Sequence, residues 1–131
     1  MSELPASRLH LSAVCGPLLR PVVARFLAAV AARMDLPVDR IADLLLIGDA
    51  LAAAAPANVA DARLELDVMA GTGGLELVVG PLRSGGAGAL VADTEVPGLG
   101  DVLGRLADDV RTVGGADGDR LRLQLDALAS A

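Results

Sequence analysis

The chain has 131 residues and a formal charge of −6, from 11 Lys+Arg against 17 Asp+Glu, with 53% apolar residues, one His, one Cys, one Phe and neither Trp nor Tyr. The apolar fraction excludes intrinsic disorder, and the length suits a single domain, 1–131, able to bury roughly two-thirds of its unfolded surface. Net negative charge without aromatic stacking platforms argues against direct nucleic-acid binding; a lone Cys excludes an internal disulfide, and one His with one Cys cannot furnish a zinc site from soft ligands.

Met1-Ser2-Glu3-Leu4-Pro5 has no basic segment leading into an apolar run, so no secretory signal is expected. Arg8 to Val14 alternates Leu9 and Leu11 with His10 and Ser12, which predicts a half-buried strand. Past Cys15-Gly16-Pro17, the residues Val22, Val23, Phe26, Leu27, Val30 and Met34 recur at helical spacing, with Arg20, Arg25 and Arg33 on other sectors. That stripe reads as core-facing, and its edge is compatible with a homodimer contact. Asp35-Leu36-Pro37-Val38-Asp39 starts a second helix that runs to about Ala55, where Pro56 is expected to stop it. Its apolar stretch Ile41 to Ala57 is interrupted by Asp43, Asp49 and Pro56, so no membrane span is expected, and the location read from the sequence is cytoplasmic.

Ala62 to Ala70 alternates Leu64, Leu66 and Val68 with Arg63, Glu65 and Asp67; Gly71-Thr72-Gly73-Gly74 supplies a turn, and Leu75 to Val79 resumes the extended pattern, which together predict a β-hairpin. Gly80 to Gly100 is punctuated by Gly and Pro without a sustained period and reads as one long loop, with the Gly-rich stretch 82–88 as a shortened lid, a partner-contact loop or a plain flexible connection. Val102, Leu103, Leu106 and Val110 predict a third helix, Val110 to Val113 a short strand, and Leu121, Leu123 and Leu125 a final strand. The order implies an α+β fold: a two-layer α/β sandwich with three main helices on one face of a mixed, mostly antiparallel sheet. Its open face carries Arg63, Glu65, Asp67, Arg120, Arg122 and Gln124. His10 reads as a surface residue and Cys15 as a packing residue.

Several phrases, in order, carry a resemblance: Leu11-Ser12-Ala13-Val14 leading into Arg25-Phe26-Leu27, the helix Ile41 to Leu51, Gly98-Leu99-Gly100 before Leu106 to Val110, and Gly118-Asp119-Arg120-Leu121. Together they resemble the GHKL (Bergerat-fold) ATP-binding domain, specifically the anti-sigma factor and serine-protein kinase family of bacterial partner-switching systems. The resemblance spans nearly the whole chain and implies a Bergerat-like sandwich. It places the family's catalytic acid on Asp49 and its Mg²⁺-ligating Asn on Ala53, four residues on and on the same helix face. Ala53 offers no oxygen, whereas Mg²⁺ requires oxygen ligands. The family's adenine-binding Asp falls on Gly80, and losing a hydrogen bond to a charged group costs roughly 1.5–3 kcal/mol. Gly98 and Gly100 keep a glycine pair that can cradle phosphate, while Asp119 stands where the family has a small hydroxyl residue.

With these departures, the resemblance implies a regulator that binds a sigma factor or an anti-sigma antagonist, with ATP binding lost or weak. An ATP- and Mg²⁺-dependent serine-protein kinase with Asp49 as base is the alternative, and a dimerisation or sensory module is a second. Neither a resident metal nor a membrane partner is expected.

Overall fold

The computed structural model describes residues 7–98 and 100–127. In chain order the elements are β1 (Ser7–Val14), α1 (Leu19–Met34), α2 (Val38–Asn58), β2 (Arg63–Gly71), β3 (Gly74–Leu82), α3 (Gly86–Asp93), β4 (Glu95–Val96), β5 (Gly100–Asp101), α4 (Val102–Leu106), β6 (Asp109–Val113) and β7 (Asp119–Asp126). Period-two alternation builds the main sheet. Leu64, Leu66 and Val68 of β2, Leu75, Leu77 and Val79 of β3, and Leu121, Leu123 and Leu125 of β7 are all buried on one face. The other face meets water: Arg63, Asp67, Arg122 and Gln124 are exposed and Glu65 and Arg120 half-buried.

The strands lie in the order β1-β2-β3-β7-β6, every pair antiparallel, and β4 pairs with β5 in a separate two-stranded ribbon. The predicted hairpin forms with Gly71 opposite Gly74. Gly74 has φ 144°, and a Cβ there would strike the Leu125 carbonyl, so the turn requires glycine.

Helices cover the buried face. On α1 the buried positions are Leu19, Val23, Leu27, Val30 and Ala31, at helical spacing. Val22, expected in that stripe, is instead 37% exposed, because it falls one step outside the arc that faces the sheet and α2. α2 presents Leu44, Ile47, Leu51 and Ala55 to the same core. At Gly48 a Cβ would run into Leu27 Cδ1, so the glycine lets α1 and α2 approach closely. By length and composition alone α2 could cross a membrane.

Three expectations are corrected. Pro56 does not stop α2, which continues to Asn58. A proline in the last turn forfeits only its own N–H, and the turn still closes through the Val59 N–H donating to the Ala55 carbonyl at 3.0 Å. Residues 80–100 are not one loop: β3 extends to Leu82, and α3, β4 and the start of β5 follow, joined by short turns. α3 buries only Gly86, Ala87 and Leu90, too few positions to print a helical period on the sequence. The predicted third helix is short and ends at Leu106, and Val110 belongs to β6; among the described residues the short α3 adds to the three expected helices.

The core is aliphatic, built from Leu, Val, Ile and Ala, and Phe26 packs only at its margin. Arg40 is buried at the base of α2, where it pairs with Asp43 and donates to Asp108 Oδ2 at 3.1 Å. Asp108 Oδ2 also accepts the Asp126 N–H at 2.7 Å, so the start of α2 is tied to the end of the β6–β7 pair where β6 begins and β7 finishes.

Candidate functional site

A cleft of about 500 Å³ lies between α2 and the segment that runs from the end of α3 through β4 to α4. One wall is the outward face of α2, where Leu46, Asp49, Ala50 and Ala53 recur three and four residues apart. The other wall is Asp93 and Thr94, then Glu95 and Val96, then Val102, Arg105 and Leu106. Its surface is mostly aliphatic, and Leu46 and Val96 are exposed at its mouth.

Most polar groups of the lining already have partners. Arg20 on α1 grips the Asp49 carboxylate, with Nη2 donating to Oδ1 at 2.7 Å and Oδ2 at 2.8 Å and Nε to Oδ1 at 3.0 Å. The Thr94 hydroxyl donates to the Val91 carbonyl at 2.7 Å. Asp93 Oδ2 accepts from Asn58 Nδ2 at 2.8 Å. Asn58 is fully buried, donates also to the Ala54 carbonyl at 2.8 Å, and accepts from Arg83 Nη2 at 3.1 Å. This knot pins the end of α2 to β3's exit and to α3's last turn, and so sets the width of the cleft.

The six candidate residues fall into separate places. Asp49 and Ala53 share the α2 wall, as their spacing requires. Gly98 and Gly100, at φ 84° and 78°, shape the β4–β5 turn beside the cleft, and Leu99 between them lies outside the described residues. Gly80 and Asp119 do not line the cleft but adjoin each other where β3 meets β7: a Cβ on Gly80 would lie 3.1 Å from the Asp119 carbonyl oxygen. An aspartate at position 80 therefore lacks room without a shift of β7.

Carboxylates occupy the two helix starts near these glycines. Asp119 Oδ2 accepts the Gly85 N–H at 2.9 Å, at the N-cap of α3. Asp101 is the N-cap residue of α4, and its Oδ2 lies where a Cβ on Gly104 would come. Each puts a negative charge where a phosphate would have to sit, and a helix N-terminus that already faces a carboxylate attracts a second anion less. The ligand set for MgATP is likewise unfit: Ala53 has no donor atom and both Asp49 oxygens face Arg20. Among the described residues no group of three His, Cys, Asp or Glu is arranged to hold a metal ion.

Over the open sheet face a second hollow of about 460 Å³ is lined by charges of both signs. His10 Nδ1 lies 2.7 Å from Asp67 Oδ1 and its Nε2 lies 3.4 Å from Glu65, while Arg122 faces Glu76 at 3.4 Å. These are exposed polar contacts, each worth at most about 1 kcal/mol. Cys15 is half-buried, and burial raises its thiol above the ordinary pKa, which keeps the thiolate scarce at neutral pH.

Sequence reasoning missed Arg20 as the partner of Asp49 and the whole Asn58–Asp93–Arg83 knot. Partners 29 and 35 residues apart obey no periodicity, and Asp93 was hidden in a segment read as loop. No protein-family model matches this chain, and no curated protein matches it.

Proposed function

We propose that this chain is a regulatory binding protein resembling the anti-sigma factors of bacterial partner-switching systems, one that engages a sigma factor or an anti-sigma antagonist by surface contact and binds ATP weakly or not at all. The carrying observation is the cleft: its wall is aliphatic, Ala53 stands where a metal ligand is needed, and Asp49 is tied to Arg20. Such a surface suits the apolar side chains of a protein far better than a triphosphate, whose charge would be stripped of water against it. The carboxylates of Asp101 and Asp119 at the starts of α4 and α3 support the same reading.

Thermal unfolding with and without millimolar ATP or ADP and Mg²⁺ tests it. A nucleotide at about a hundred times its Kd adds roughly 2.7 kcal/mol, on the order of 10 °C in Tm for a chain of this size. The expected result is no concentration-dependent rise, together with capture of a purified sigma factor or antagonist. A clear rise that Asp49→Ala abolishes would sink this reading in favour of the serine kinase.

A further inference from the structure

β1 is an edge strand, and β2 is its ladder partner. Just past the last register pair, Val14 with Arg63, the Cys15 N–H donates to the Ala62 carbonyl at 2.9 Å. Hydrogen-bonded and non-hydrogen-bonded pairs alternate in an antiparallel ladder, so the odd-numbered residues of β1 bond to β2. Arg8, His10, Ser12 and Val14 therefore point their N–H and C=O groups away from the sheet, with their side chains on the open face. Leu9, Leu11 and Ala13 lean toward the helical layer and stay half-buried. Eight residues in unbroken register carry neither Pro, Lys nor a bulge; Arg8 is the one arginine among them, and no acidic residue accompanies it. The opposite edge, β6, has only five residues and carries Asp109 and Arg111.

The edge strand and the helix that follows it carry basic residues alone. Residues 7–34 contain Arg8, Arg20, Arg25 and Arg33 and none of the 17 acidic residues. Arg20 is held by Asp49, whereas Arg8, Arg25 and Arg33 have no carboxylate within ion-pair distance among the described residues. Exposed apolar side chains, Val14 at 61%, Leu18 at 73% and Val22 at 37%, carry the surface from the strand into α1.

We infer that the β1 edge docks an extended acidic segment of a partner protein, apolar at alternate positions, which adds to the sheet as a further strand. Its backbone completes the outward groups of residues 8, 10, 12 and 14, its apolar side chains cover Leu9 and Leu11, and a carboxylate on the open side meets Arg8. A second copy of this chain fits worse, because β1 against β1 gathers Arg8 and His10 of both copies on one face with no carboxylate from either strand. Nucleic acid and anionic lipid bring charge but no strand to complete the ladder. The inference rests on the reading of this chain as a protein-binding regulator and assigns a contact surface apart from the cleft.

The probes are two capped, fluorescein-labelled octapeptides, one alternating Val with Glu and the other Val with Lys, followed by fluorescence anisotropy. The Glu peptide should bind at least tenfold more tightly, and Arg8→Glu should reverse the order. Ser12→Pro removes an outward N–H without breaking a backbone bond to β2, losing besides it only the exposed bond in which the Ser12 hydroxyl accepts from Arg63 Nη1 at 2.9 Å, and should weaken docking tenfold or more while circular dichroism shows a folded chain. If that proline unfolds the protein, the Arg8→Glu reversal decides alone. Equal affinities for the two peptides, no binding of either, or binding untouched by Ser12→Pro overturns the proposal, as does a dimer in sedimentation that Ser12→Pro dissociates. A chain that captures a sigma factor yet ignores both peptides overturns the edge and leaves the regulator standing. Nucleotide stabilisation alongside normal docking of the Glu peptide does the reverse.

Discussion

Asn58 is fully buried, and its single amide bonds to Ala54, Asp93 and Arg83 at once. Two of those partners are charged, and a hydrogen bond to a charged group is worth about 1.5–3 kcal/mol when its loss leaves the group unpaired. Asp93 and Arg83 are both exposed enough for water to take over part of the work. Asn58→Ala should therefore destabilise the chain by about 2 kcal/mol rather than by the sum of its bonds, read as a lower urea midpoint at unchanged slope. The Asp49–Arg20 pair is different in kind: both side chains are more than half exposed, so its removal should barely move stability.

At the scale of elements, α2 carries the most testable conflict between propensity and packing. Pro56 sits inside the helix, and the buried Ala52 carbonyl loses the N–H it would otherwise receive four residues on. A helical proline costs up to about 3 kcal/mol relative to alanine, and less in a last turn, while its stiffening of the unfolded chain returns about 0.4–1 kcal/mol. The first term wins, so Pro56→Ala should stabilise the protein by about 1–2 kcal/mol, visible as a higher Tm.

Element length also decides what was legible in the sequence. α1, β2, β3 and β7 each bury three or more apolar side chains at a fixed period, β1 half-buries Leu9, Leu11 and Ala13 at alternate positions, and each was readable. α3 reveals itself by Ala87 and Leu90 alone, and β4 and β5 span two residues each, too short for any period to show. The α2 wall of the cleft was legible because Asp49 and Ala53 are four apart on one helix; the facing wall was not, since it comes from those short pieces. Gly80 and Asp119 look like parts of one site along the chain only until strand register is known, which seats them together at the β3–β7 seam.

For the whole molecule, one continuous aliphatic core joins all the helices to the main sheet. With a single core the chain should unfold in one cooperative calorimetric transition, with an enthalpy of about 90 kcal/mol near 60 °C and a van't Hoff value to match. Two resolved transitions, or a van't Hoff enthalpy well below the calorimetric one, would contradict a single cooperative core.

That unity does not extend evenly to the outer wall of the cleft. The described residues of 86–106 form only short elements and hold to the rest chiefly through Ala87, Leu90, Leu103 and the Asn58–Asp93 bond. Such a segment opens at a lower free energy than the sheet beneath it. Opening of that wall would let an occupant of the cleft leave while every strand of the main sheet remains paired.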